Sequence, residues 1–297
     1  WDEPSLKEDS PGWLETTWVP RSIIRPMNSD GHDMLQEAAR SDAGDPLSAS
    51  WLSKNDGKTI SEALLRFLGG YRKWIESKIK LLPALDSDSA QGEENLAVCT
   101  ETLKRMEAGA RLLGQDSKVE EAFRLAQASM VIQRSWTSEG READLRWRPF
   151  QLGFQLLTIA SLADRANPGR QVMDLLWFPT GGGKTEAYLA LTAFTLFLRR
   201  IKDGSAGAGV AVLMRYTLRL LTIQQFDRAS ALVCACEAIR RGQGRPEGLG
   251  TRLGDLPFSI GIWVGSGATP NSRREVAALT PNSECTPCPL AQCPCCR

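Results

Sequence analysis

From Thr59 onward, apolar residues recur at the spacing of one helical face: Leu64, Leu65, Phe67, Leu68, Tyr71, Ile75, Ile79 and Leu82. Gly69 and Gly70 are expected to interrupt this run. The same period returns in 96–113 and in 119–136, where Phe123, Ala126 and Met130 mark one face. Each apolar stripe needs another element to cover it, so 59–140 is expected to be a helical accessory region of three or more helices. Residues 1–58 have no sustained period. They are rich in Asp, Ser, Gly and Pro, with Trp1, Trp13, Trp18 and Trp51 among them, and predict an irregular segment laid on a neighbouring surface by its tryptophans.

Past the polar stretch 139–144, Pro149 suits a first helical turn and predicts a helix running through Ala163. The rhythm then changes. Apolar runs at 172–178, 210–214 and 258–264 read as strands, and 184–200 and 218–240 read as helices between them. Strand, glycine turn, helix and strand again is the βαβ pattern, so 141–280 is expected to be an α/β domain with a parallel sheet. The remaining 281–297 is cysteine-rich.

Composition narrows the class. With 42% apolar and 24% charged residues in 297, the chain has the mixture of a folded globular protein. Its formal charge of +1 hides an asymmetry: residues 1–100 carry 11 basic and 17 acidic side chains, a balance of −6 against +7 in the remainder. A polyanionic partner is therefore expected on the later two thirds. No apolar run is long enough to cross a bilayer and no signal-peptide order is present, so a cytoplasmic protein without a membrane partner is expected. The chain opens on Trp1 and stops at Arg297 within a cysteine cluster, which suits a fragment or a mature chain.

The most informative string is Pro179-Thr180-Gly181-Gly182-Gly183-Lys184-Thr185, set between an apolar run and a helix. Glycines let the backbone approach a phosphate, and the amides that open a helix face its oxygens. Lys184 would neutralise the β- and γ-phosphates, and the Thr185 hydroxyl would sit on Mg²⁺. Phe178 stands where the strict motif has glycine, which makes this a variant. The bland alternative, a glycine-rich turn with a surface lysine, leaves the order and placement of Gly183-Lys184-Thr185 unexplained. Hydrolysis also needs an acidic residue that organises the metal. Asp255 precedes the last apolar run and Glu275 follows it in a polar stretch, so the string supports ATP binding more strongly than self-contained hydrolysis.

These residues resemble motif I of superfamily 2 helicases, extended by Glu186-Ala187 as in the helicase-like proteins of DISARM antiphage defence. Arg148-Pro149-Phe150-Gln151, 176–180, 215–219 and 263–271 resemble that family too, so the likeness covers about 147–271. It implies a P-loop RecA-like parallel-sheet domain with ATP and Mg²⁺ as cofactors. Gln151 would read the adenine edge, supported by Arg148 and Phe150. Thr180, Gly181, Gly182, Gly183, Lys184, Thr185 and Glu186 would surround the nucleotide, with Lys184 and Thr185 as catalytic groups. Arg215, Thr217, Arg219 and Gln224 would contact a nucleic-acid backbone. The expected partners are DNA and a second subunit of a DISARM-like defence complex. An acidic motif II and a second lobe are missing from the string, so ATP-driven movement on DNA is expected only of a complete protein. A regulatory or assembly module that binds ATP without translocation, and an RNA helicase or remodeller, remain as alternatives.

Residue chemistry alone gives a weaker version of the same picture. Between 199 and 247 there are nine basic and four acidic residues, and Arg215 and Arg219 could meet successive phosphates or lie on a solvated helix surface. Gln151 alone reads as a capping or solvent-facing residue. Five of the eight cysteines fall in 285–296. Cys285, Cys288, Cys293 and Cys296 offer Zn²⁺ four thiolates, or half of a knuckle completed elsewhere; a reduced metal-free tail is the alternative. Cys99, Cys234 and Cys236 read as packing residues, and the sole histidine, His32, as part of a polar turn.

Overall fold

The computed structural model describes residues 31–40, 44–137, 145–178, 181–216, 219–250, 252–264, 270, 272–278 and 293. Along them run α1 (Asp33–Ala39), α2 (Ala49–Lys54), α3 (Gly57–Ile79), α4 (Ser89–Leu113), α5 (Ser117–Thr137), α6 (Pro149–Ala163), α7 (Lys184–Asp203), α8 (Arg219–Arg240) and α9 (Arg273–Ala277). Asp56 starts α3 by accepting hydrogen bonds from the amides of Lys58 and Thr59 at 3.0 and 3.1 Å. The helix then continues through Gly69 and Gly70 without a break. Gly70 is there for close approach, since a Cβ would lie 2.4 Å from the Met34 carbonyl oxygen of α1.

Two expectations for this half need correction. Within 1–58, residues 33–39 and 49–54 are helical rather than irregular. His32 and Ser48 cap them, accepting from the amides of Met34 and Trp51 at 3.3 and 3.1 Å. Packing of α1 on α3 and of α2 on α5 offsets the cost of nucleating such short helices. The segment before α2 also meets the one before α6: the Ala49 amide donates to the Leu145 carbonyl at 2.9 Å and the Trp147 amide to that of Leu47 at 2.7 Å.

The second correction is larger. A parallel-sheet RecA-like domain is not seen; the architecture is helical, and the sole β-bridge among the described residues joins Ser48 and Arg146. Residues 172–178, 210–214 and 258–264 form no strand, and no ladder joins them. Most of their large apolar side chains are correspondingly bare, Trp263 98% exposed and Met173 92%, while Phe258 alone is buried in the core. The physical reason lies in α7. In a βαβ unit its apolar face would cover the sheet, whereas here Leu189, Ala193, Phe194 and Phe197 are buried in one core with α5. Without a strand neighbour, an apolar extended run has no ladder to join.

Helix α5 holds the two halves together. Residues 121–130 are buried on every side, including the polar Glu121, Arg124, Gln127 and Ser129, so the single face marked by Phe123, Ala126 and Met130 understates the helix. Each long polar side chain has partners. Arg124 donates to the carbonyls of Ser53 at 3.1 Å and Lys54 at 3.4 Å, which end α2, and to that of Glu247 at 3.2 Å. Glu121 pairs with Arg245 at 2.9 Å. Cys236 of α8 is fully buried, and burial pushes its thiol up to about 12.

On α8, Glu237 gathers Arg240 at 2.6 Å, Arg241 at 2.8 Å and the Phe258 amide at 3.1 Å. The Arg240 hydrogen bond leads in holding this carboxyl down at about 2, from an ordinary 4.5, against the upward push of burial. A depressed folded pKa contributes stability above the unfolded value and loses it as pH falls from about 4.5 towards 2. Glu237→Gln is therefore expected to flatten the loss of stability across that window. Urea midpoints at pH 3 and pH 6 check this; equal pH dependence in the variant and the parent would show that Glu237 is not its source.

Candidate nucleotide site

The glycine string meets the start of α7. Gly181 and Gly183 take φ of +82° and +88°, the left-handed region that favours glycine. Gly183 is the cap of α7, and a Cβ there would lie 2.6 Å from the Gln151 side-chain nitrogen. At Gly181 a Cβ would meet nothing within 4 Å, so that corner of the turn is open. Lys184 is the first residue of the 20-residue helix α7, and its Nζ donates to the Phe178 carbonyl. Backbone amides at a helix start, an ammonium and the Thr185 hydroxyl are a donor set that fits a triphosphate with its metal.

Helix α6 buttresses this turn. Arg148 donates from its guanidinium to the Gly182 carbonyl at 2.8 Å. The Gln151 side-chain oxygen accepts from the Arg148 amide at 2.8 Å, while its nitrogen donates to the Gly183 carbonyl at 2.7 Å. Gln151 is thus a capping residue that also ties α6 to the loop, and it is buried. The Phe150 ring stacks on Phe178 with centroids 3.8 Å apart. Three of the residues assigned to a nucleotide by resemblance, Arg148, Phe150 and Gln151, are brought against the loop. Thr180 lies outside the described residues.

A buried amide chain behind Gln151 was not legible in the sequence. The Trp147 indole donates to Gln127 Oε1 at 2.7 Å, Gln127 Nε2 donates to Gln155 Oε1 at 2.9 Å, and Gln155 Nε2 reaches the Gln151 carbonyl at 3.4 Å. Gln127 belongs to α5, so the accessory helices touch the site. Glu186, in the first turn of α7, forms an ion pair with Arg228 of α8. A glutamine and an arginine inside ordinary helical periodicity carry no local signal of these contacts.

The basic stretch divides in two. Arg199 holds the carbonyls of Gly207 and Val210 at 3.1 and 3.0 Å, Arg200 that of Pro257 at 3.2 Å and Lys202 that of Ala163 at 2.6 Å. Arg228, Arg240, Arg241 and Arg245 pair with carboxylates. Arg215 and Gln224 are exposed. Arg219 opens α8, and Thr217 lies outside the described residues. Arg215 also borders a cleft of about 690 Å³ with Phe154, Tyr188 and Tyr216, which includes none of residues 181–185. Asp174 at its edge accepts from both terminal guanidinium nitrogens of Arg105, at 2.7 and 2.8 Å. Of the cysteine set, Cys293 is exposed, and Cys285, Cys288 and Cys296 lie outside the described residues. No helix among the described residues is long and apolar enough to cross a membrane.

Fold and site together define a helical protein with a glycine loop braced at a helix start. No family model matches the chain. It is similar to the DISARM protein DrmA of Bacillus paralicheniformis, 34% identical over 289 residues that take in 87% of this chain and 24% of the relative. The chain thus spans about a quarter of the length of the curated relative it matches. This match bears out the resemblance to the DISARM proteins read from the motif strings.

Proposed function

We propose that this chain is the ATP-binding part of a superfamily 2 DNA helicase or translocase that serves antiphage defence, as the similarity to DrmA suggests. The observation that carries the reading is the glycine turn closed by Lys184 and Thr185 at the start of α7 and braced by Arg148 and Gln151. Lys184 and the opening amides of α7 would hold the phosphates, and Thr185 would hold Mg²⁺. Bound Mg-ATP supplies a cleavable phosphoanhydride; the residues of this chain bind and orient it. Arg148 and Gln151 keep the turn in shape, and Phe150 and Phe178 form an aromatic wall beside it. Coupling of hydrolysis to movement along DNA belongs to the complete protein.

DNA contact is assigned to Arg215, Thr217, Arg219 and Gln224. Neighbouring basic residues are engaged by protein carbonyls and carboxylates, which supports Arg215 as a phosphate contact. Replacing both arginines with alanine is expected to weaken DNA binding across all sequences. The slope of log affinity against log salt should fall by about one unit for each phosphate that is no longer neutralised. Fluorescence titration at several salt concentrations, alongside calorimetry with Mg-ATP, tests the reading. No Mg-ATP binding would reject the nucleotide site, an undiminished salt slope would reject the DNA surface, and a marked preference for RNA would move the reading to an RNA remodeller.

A further inference from the structure

We propose that the Glu186–Arg228 ion pair couples the phosphate loop to the basic edge that leads into α8, with Arg228 acting as a positioning residue. The inference rests on the reading of 181–185 as a phosphate site and adds a route by which that site and a polyanion on α8 influence one another.

Glu186 stands beside Thr185 in the first turn of α7. A carboxylate there enjoys the positive end of the helix, but a bound triphosphate seeks the same end and would be repelled by it. One carboxylate oxygen engages Arg228. The other, Oε2, is buried without a hydrogen-bond partner among the described residues, and a Cβ placed on Gly183 would lie 3.4 Å from it. The carboxylate therefore faces the last glycine of the loop, with Arg228 of α8 as its ion-pair partner among the described residues.

Arg228 has reach in the other direction. It lies on the helix that Arg219 opens, and its backbone carbonyl is fixed by Gln133 of α5 at 2.7 Å. Its charge also falls on Tyr216, next to Arg215, opposing the upward push that burial gives the Tyr216 hydroxyl. The pair is partly solvated, with side-chain exposures of 29% for Glu186 and 40% for Arg228. Such pairs contribute little to stability, so this one can be altered without unfolding the chain. An anionic ligand on the loop competes with Glu186 for Arg228, which redistributes charge between α8 and Tyr216 ahead of it. Linkage makes the effect reciprocal: DNA must change Mg-ATP affinity by the factor by which Mg-ATP changes DNA affinity.

The test is calorimetric titration of Mg-ATP into the full chain, with and without saturating duplex DNA, for the parent, Arg228→Gln, Glu186→Gln and the double variant. The parent is expected to show a coupling factor of about fivefold or more. Arg228→Gln should lower Mg-ATP affinity roughly tenfold at low salt, because it leaves Glu186 unbalanced beside the phosphates, and should bring the coupling factor to about one. The double variant should regain the lost affinity while its coupling factor stays near one, a pattern that a merely structural contact does not produce. An unchanged coupling factor in Arg228→Gln, or no recovery in the double variant, overturns the proposal. A parent that binds both ligands without mutual effect overturns the coupling alone, whereas a parent that binds no Mg-ATP overturns the nucleotide reading and this one with it.

Discussion

Lys184→Ala is expected to weaken Mg-ATP binding by roughly ten- to a hundredfold while leaving the chain folded. A hydrogen bond to a charged group is worth about 1.5–3 kcal/mol, and each 1.4 kcal/mol is about tenfold in affinity. Alanine is well accommodated at the first position of a helix, and the apolar contacts of α7 begin further along, at Ala187 and Leu189. The loss should therefore appear in binding rather than in folding. Calorimetry on a variant with an unchanged melting curve separates the two. Undiminished affinity would leave the ammonium without a role in holding phosphate, and the glycine turn would revert to an ordinary helix start.

Gln127→Leu is expected to have the larger effect on stability, about 2–5 kcal/mol. The substitution places an apolar side chain of similar length there and removes the acceptor of the Trp147 indole and the donor to Gln155, which lie 2.7 and 2.9 Å away. All three side chains are buried, at 0% exposure for Gln127. Each stranded group costs about 1–3 kcal/mol because water cannot replace the missing partner. Urea unfolding gives the magnitude. Trp147→Phe in the same background should recover part of it by removing the stranded indole donor. A Gln127→Leu midpoint equal to that of the parent would mean that the amide chain contributes nothing.

The longer helices, from α3 to α8, were the legible part of the fold, because an amphipathic period is a local property; the short α1 and α2 carry too little of one. Helix α6 spans Pro149–Ala163 as its proline and apolar spacing indicate, and α7 begins at Lys184, where the glycine string ends. The apolar runs at 172–178, 210–214 and 258–264 look the same in sequence whether or not a neighbour pairs with them. A strand is defined by that neighbour, so the sheet reading had no local check. Helix α5 failed for the opposite reason. Glu121, Arg124 and Gln127 resemble a solvated face, and groups distant along the chain make their burial tolerable: Arg245 for Glu121, the Ser53 and Glu247 carbonyls for Arg124, Trp147 and Gln155 for Gln127. At the site, the glycine turn and Lys184 were readable as a unit. The capping role of Gln151 was one of the readings its local context allowed, while Arg228, 42 positions from Glu186, had nothing in its own neighbourhood to point there.

Burial of α5 on all sides also bears on how such a chain can be inherited. A helix with one solvated face can drift there, changing residue by residue without consulting the rest of the protein. Between 121 and 130 no such free face exists, so a new side chain must suit α2, α7 and α8, the loop after α8 and, at Gln127, α6 as well. Recombination meets the same restriction, because exchanging the leading helices between relatives would bring in an α5 shaped for a different partner. The bundle and the loop it supports are then expected to travel between genomes as one heritable block.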